Sequence, residues 1–140
     1  MDYESYRRKY FVHPAPKKKA GIIGQQGISV YIKDYQAAQK YYSKVFGAPQ
    51  YIEGQSVTGW EFGEAWFSLF PSKEGNPKNV DLSLFMESCQ KVEEIFTEFI
   101  SAGAKGDPPQ ESLLYVPVYA AFLRDPFGLD WSIIFRRPIA

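Results

Sequence analysis

Two stretches of the chain alternate between apolar and polar residues, which is the pattern of a half-buried β-strand. In the segment 27–34, the apolar residues Ile28, Val30 and Ile32 fall on one side and alternate with Ser, Tyr and Lys. The segment 80–87, "VDLSLFME", repeats this alternation. Each strand therefore has one face for packing and one face that is free to contact solvent or a ligand.

A helical pattern follows each of these two strands. After Asp34, which is expected to cap the helix, "YQAAQKYYSKVFG" places apolar residues at helical spacing, and Gly47 ends the helix. After Ser88, a second expected cap, "CQKVEEIFTEFISAG" shows the same spacing and ends at Gly103. A further short helix is expected in "DYESYRRKY" near the N-terminus.

Three strand-like pieces follow each of the two longer helices. They are "PQYIEG", "SVTGWEFG" and "AWFSLFPS" in the first half, and a piece around "KGDPPQ", then "LLYVPVYAAFL" and "LDWSIIF", in the second. The sequence therefore predicts an α+β fold of two tandem βαβββ modules, 27–71 and 79–137, within one domain over 27–137. An N-terminal extension, 1–26, precedes them. A solenoid is not expected because it needs three or more repeats.

Composition narrows the class of partner. The chain has 140 residues, with 16 Lys plus Arg and 16 Asp plus Glu, so its formal net charge is zero. A neutral chain has no global field to attract nucleic acid or an anionic membrane, so neither partner is expected. The apolar runs are strand-sized and the first residues contain no apolar signal region, so we expect a cytoplasmic protein. The single cysteine, Cys89, excludes an internal disulfide.

The repeated modules also carry a family resemblance. "DYQAAQKYYSKVFG" in the first half, "VEEIFTEFISAGA" in the second and "RDPFG" before the last strand resemble the vicinal oxygen chelate superfamily. This superfamily includes glyoxalase I, extradiol dioxygenases, fosfomycin-resistance enzymes and bleomycin-resistance proteins. The chain is most similar to the small bacterial glyoxalase and bleomycin-resistance-like members. The resemblance implies that the two modules form a half-barrel cup, often completed in a homodimer.

The resemblance further implies where metal-dependent relatives carry their metal ligands. In this chain those positions hold Gly27, Ser68, Asp81 and Ser132. A catalytic zinc or other divalent metal takes about three protein ligands from His, Asp, Glu or Cys, and only Asp81 is of that kind. The single histidine, His13, lies in the N-terminal extension. We therefore expect no metal and no other cofactor.

The strand face that does not pack on a helix is expected to contact the ligand. The candidate ligand-binding residues on this face are Ser29, Tyr31, Trp66, Ser68, Phe70, Asp81, Ser83, Phe85, Tyr119, Asp130, Ser132 and Ile134, with Tyr115 as a further candidate. Trp131 is expected to face the other way and to pack under a helix. Aromatic walls with a few hydroxyls and carboxylates suit a planar or partly cationic organic ligand. No catalytic residue is assigned.

Three functions from different classes are consistent with these residues. The first is a metal-free protein that binds a planar or hydrophobic small molecule in the cup. The second is an enzyme of the lyase, isomerase or dioxygenase type, with an atypical metal site or with metal-free acid–base chemistry by Asp81 or Asp130. The third is an interaction module that retains only the dimer. The loss of the metal ligands together with the aromatic cup favours the first.

Overall fold

Two β-sheets, each covered by one helix, form the body of the computed structural model, which describes residues 1–18 and 21–139. The elements before the second module are α1 (Tyr3–Tyr10), β1 (Gly27–Ile32), α2 (Tyr35–Phe46), β2 (Tyr51–Glu53), β3 (Val57–Phe62) and β4 (Ala65–Pro71). The second module contains β5 (Asp81–Phe85), α3 (Cys89–Ser101), β6 (Lys105–Gly106), β7 (Gln110–Leu114), β8 (Val116–Arg124) and β9 (Asp130–Arg136). No helix in these two ranges is long and apolar enough to span a membrane.

The two sheets have the same topology. The first has the strand order β1-β4-β3-β2, with β1 parallel to β4, and the second has the order β5-β9-β8-β6, with β5 parallel to β9. The prediction of tandem βαβββ modules is confirmed, with one difference in the second module. There β6 and β7 both pair with β8, because Tyr115, at a φ of 66°, reverses the chain within "LLYVPVYAAFL". This segment was expected to be one strand.

The helix ends agree with the sequence at three of the four predicted capping and terminating residues. Ser88 caps α3 by accepting a hydrogen bond from the Lys91 amide at 3.1 Å. Gly47, at a φ of 90°, follows the last residue of α2, and Gly103, at a φ of 118°, lies just beyond α3. Asp34 precedes α2, but its side chain makes no capping hydrogen bond, so the expected side-chain cap is wrong.

The core is shared between the modules. Phe67 of β4 and Trp131 of β9 meet with ring centroids 5.1 Å apart, and Phe46 of α2 contacts Phe99 of α3 at 5.5 Å. Trp131 therefore faces the helices, as expected. Among the described residues no strand of one sheet pairs with a strand of the other, so the two sheets do not close into a barrel.

Candidate ligand-binding site

The face of the first sheet that points away from α2, termed the first cup face, is built by residues that alternate with the core positions. The strand register aligns Ser29, Ser68, Gly59 and Tyr51 in one row across the sheet. The neighbouring rows hold the other residues of this face, Gly27, Trp66 and Glu61 on one side and Tyr31, Phe70, Val57 and Glu53 on the other. All five residues predicted for the cup from the first module lie here.

Two aromatic pairs occupy the first cup face. Tyr31 and Phe70 stack with ring centroids 5.0 Å apart and an interplanar angle of 20°. Tyr51 and Trp66 meet edge to face, at 6.4 Å and 78°. Both geometries are favourable between aromatic rings, and Tyr31 is 55% exposed. The face therefore offers flat apolar surface to a ligand.

A cavity of about 390 Å³ opens on this face, which is within the usual size range of small-molecule sites. It is lined by Gln26, Gly27, Ile28, Ser29, Tyr51, Val57, Gly59, Trp66 and Ser68. The hydroxyls of Ser29 and Ser68 can each donate and accept a hydrogen bond. The Tyr51 hydroxyl donates to Glu53 Oε2 at 2.7 Å, and this bond, followed by the Glu53 charge, raises the pKa of Tyr51. The Tyr51 phenol therefore stays neutral at neutral pH.

The corresponding face of the second sheet, termed the second cup face, begins with a row of charged residues. The register aligns Asp81, Asp130, Arg124 and Lys105 across β5, β9, β8 and β6. Arg124 Nε donates to Asp130 Oδ1 at 2.8 Å and the Arg124 NH2 group donates to Oδ2 at 3.2 Å. This pairing lowers the pKa of Asp130. The row therefore runs from the acidic Asp81 on β5 to the basic Lys105 on β6. It lines a shallow cavity of about 400 Å³.

Asp81 and Ser132 form a second polar pair on this face. Ser132 Oγ donates to Asp81 Oδ1 at 3.0 Å and approaches Oδ2 at 3.3 Å. Ser132 is buried, whereas Asp81 is exposed. Within the described residues the Asp81 carboxylate forms no ion pair, unlike that of Asp130. Asp81 therefore leaves a negative charge without a cationic partner at the edge of the second cup face.

The remaining residues predicted for the second cup face differ in accessibility. Ser83 is exposed, and Phe85 is 64% exposed beneath the Arg136 guanidinium, which lies 4.0 Å from the ring centroid. Ile134 is 3% exposed and packs with Val118 and Ala120 in a small second core. Phe85 is thus open to a ligand, whereas Ile134 is covered by the protein itself.

The two tyrosines of the predicted strand "LLYVPVYAAFL", Tyr115 and Tyr119, lie apart from the other candidate residues. Tyr119 lies on the helix side of β8, where its hydroxyl donates to Glu93 Oε2 of α3 at 3.2 Å. Its expected position on the cup face is therefore not observed. Tyr115 lies at the β7–β8 turn, where its amide donates to the Tyr6 hydroxyl at 2.9 Å.

The four positions that the resemblance implies for metal ligands do not fit a metal. A Cβ built on Gly27 would overlap the carbonyl oxygen of Trp66, so a longer ligating side chain has no room there. Ser68 lies on the first cup face, whereas Asp81 and Ser132 lie on the second. In the part of the chain that the structure describes, no three His, Cys, Asp or Glu side chains are grouped as metal ligands. This donor set does not match a catalytic divalent site within one chain.

A larger cleft of about 870 Å³ lies between the modules, and residues of both cup faces line it. They are Gly27, Glu61 and Trp66 of the first face and Asp81, Ser83 and Phe85 of the second, and four of them, Trp66, Asp81, Ser83 and Phe85, were predicted to contact a ligand. It is bordered by β5, by the β3–β4 hairpin and by parts of α2 and α3. Its apolar side chains are those of Ile28, Val45, Phe46, Trp60, Phe62, Ala65, Trp66, Phe67, Leu82, Leu84, Phe85, Met86 and Ile95. Several of these belong to the shared core, so this cleft is an opening between the two packed modules.

The sequence analysis also missed Tyr51, Gly59, Arg124 and Lys105. A glycine inside a strand pattern, as in "SVTGWEFG", signals close approach of another group, and this signal could have identified Gly59. Tyr51 belongs to a strand of 3 residues, which is too short to show alternation. Arg124 and Lys105 become neighbours only through the β6–β8 pairing.

Comparisons with protein families and with solved structures agree on the family and the fold of this chain. A family model described as the Glyoxalase/Bleomycin resistance protein/Dioxygenase superfamily matches residues 24–133. Among solved structures, a glyoxalase/bleomycin resistance protein from Albidiferax ferrireducens T118 has a TM-score of 0.69 at 17% identity, covering 80% of this chain and 98% of that one. A lactoylglutathione lyase from Agrobacterium tumefaciens has a TM-score of 0.63 at 16% identity, covering 83% and 96%. These identities show a common fold alone. No curated protein matches the sequence.

Proposed function

The chain belongs to the Glyoxalase/Bleomycin resistance protein/Dioxygenase superfamily, and within it we propose a metal-free protein that binds a planar or hydrophobic organic ligand on the first cup face. The observation that carries this proposal is the cavity beside Trp66, which combines accessible aromatic surface with the hydroxyls of Ser29 and Ser68. Such a site orients a flat ligand by stacking and by a few hydrogen bonds. The binding would take place in the cytoplasm.

A homodimer would complete this site. In one chain the first cup face leaves aromatic residues uncovered, with Tyr31 55% and Tyr51 47% exposed. A second copy could place its charged second cup face, with Asp81 and Asp130, opposite the aromatic first cup face of the first copy. Sedimentation velocity would test this arrangement, and a monomer at every concentration would contradict it.

Tryptophan fluorescence tests ligand binding directly. Trp60 and Trp131 are buried, at 1% and 0% exposure, so a ligand on the first cup face should act mainly on Trp66. We expect planar aromatic compounds, including acridone and proflavine, to quench the fluorescence with saturation. Trp66→Ala and Tyr31→Ala should weaken this binding, measured by calorimetry, whereas Tyr10→Ala, at an exposed residue of α1, is the matched control. A panel with no saturable ligand would overturn the proposal.

The metal-free part of the proposal has its own test. Elemental analysis of the purified protein should find less than stoichiometric nickel, zinc, iron and manganese. A stoichiometric metal whose loss follows Asp81→Asn would instead support the enzymatic alternative, because Asp81 is the only carboxylate at the four implied ligand positions.

A further inference from the structure

The indole of Trp66 contacts Gly59 on the first cup face. Trp66 is aligned with Glu61 in the strand register, but its indole leans onto the neighbouring row. A Cβ built on Gly59 would lie 3.2 Å from Cε3 and 3.4 Å from Cζ3 of this indole. Gly59 is buried, although it lies on the face of the sheet away from α2. The six-membered ring of the indole therefore packs against the bare backbone of Gly59.

Two carboxylates flank this covered glycine. Glu61 is the direct cross-strand neighbour of Trp66, and Glu53 accepts the hydrogen bond from Tyr51, whose ring meets the indole edge to face. Both glutamates are exposed, and neither forms an ion pair with the described residues. An indole face is itself attractive to a cation. Two carboxylates, those of Glu53 and Glu61, thus lie near Trp66, and neither is neutralised by a Lys or Arg of the described residues.

We infer that Gly59 is the residue that determines ligand class, because its bare backbone lets the Trp66 indole pack over it as a stacking platform, flanked by Glu53 and Glu61, that takes a planar organic cation. This inference rests on the proposed function and makes it more specific. A side chain at position 59 would press against Cε3 and Cζ3 of the indole and displace it, and the displacement would be larger for Val than for Ala. A neutral planar molecule would gain the stacking contact but not the attraction to the two carboxylates and to the indole face.

Proflavine and acridone provide a matched test, because both have three fused rings and only proflavine is a cation at neutral pH. We expect the wild-type protein to bind proflavine about tenfold more tightly than acridone. Gly59→Ala and Gly59→Val should weaken proflavine binding in that order, reaching about tenfold for Val. Val is well suited to a strand, and circular dichroism would confirm folding of both variants. Gly21→Val, where a Cβ has no neighbour within 4 Å, is the control and should bind as the wild type.

The contribution of the Glu53 and Glu61 carboxylates is tested separately. Glu53→Gln and Glu61→Gln should each weaken proflavine binding by about threefold and leave acridone binding unchanged. If proflavine and acridone bind equally, or if Gly59→Val binds as the wild type, the inference is wrong while the proposed function remains. If other planar compounds bind but neither of these two does, the inference is also wrong. Absence of binding by every panel compound contradicts the proposed function itself.

Discussion

The hydroxyl of Tyr42 in α2 donates a hydrogen bond of 2.6 Å to Asp125 in the turn before β9. The same carboxylate accepts hydrogen bonds from the Trp131 indole at 2.9 Å and from the amides of Phe127 at 2.8 Å and Leu129 at 3.1 Å. Tyr42 and Asp125 are both buried, and they belong to different modules. This bond therefore links the two halves of the chain through the turn that the sequence motif "RDPFG" predicts.

Tyr42→Phe should lower the free energy of unfolding by about 1–3 kcal/mol, because it leaves a buried carboxylate without one of its donors. Urea denaturation followed by circular dichroism would measure the change. Tyr31→Phe removes an exposed hydroxyl and is the control, with an expected change within about 0.5 kcal/mol. Equal effects of the two substitutions would show that the Tyr42 bond does not hold the modules together.

The same tyrosine predicts a loss of stability at alkaline pH. Burial raises the pKa of Tyr42 above its ordinary value of 10.0, and the Asp125 charge and their hydrogen bond raise it further. Above that ordinary value the unfolded chain loses the Tyr42 proton while the native protein keeps it. The free energy of unfolding must therefore fall as the pH rises. Urea titrations at increasing pH should show a steeper fall for the wild type than for Tyr42→Phe, and parallel curves would contradict this.

Local chemistry made much of the fold predictable from the sequence. The alternation around Val30 and Leu82 defined which strand faces pack, and both residues are buried in the structure. Ser88 was a correct cap because the bond it makes is to a residue three positions along the chain. Asp34 occupies the equivalent position but its side chain makes no such bond, since a polar residue before a helix permits a cap without requiring one.

The candidate site was less predictable because it depends on packing between distant segments. Ser132 and Asp81 were both assigned to the cup, but their hydrogen bond follows only from the β5–β9 register. Tyr119 was placed on the wrong face because the break at Tyr115 was not visible in an apolar run. The packing of the two modules depends on contacts such as that between Phe67 and Trp131, which no local pattern encodes.

Gly27→Ala should destabilise the protein although Gly27 begins a strand. The added Cβ would overlap the backbone of Trp66, so β1 must move away from β4, with an expected loss of about 1–3 kcal/mol. Gly24→Ala is the matched control, since a Cβ there has no neighbour within 4 Å. The unfolding free energies of both variants would be compared in urea. Equal stabilities would mean that this position has room for a side chain, and the argument against a metal ligand at position 27 would fail.

Iodide quenching should locate the accessible tryptophan. Of the 3 tryptophans, Trp60 and Trp131 are buried in the shared core, whereas Trp66 is partly exposed on the first cup face. Because iodide is charged and does not enter an apolar core, it should quench only the Trp66 fraction of the native fluorescence. Trp66→Phe should abolish this fraction and keep the aromatic surface, whereas Tyr10→Phe should leave it unchanged. Strong iodide quenching that survives in Trp66→Phe would show that a core tryptophan is accessible, and the packing of the two modules against each other would then be wrong.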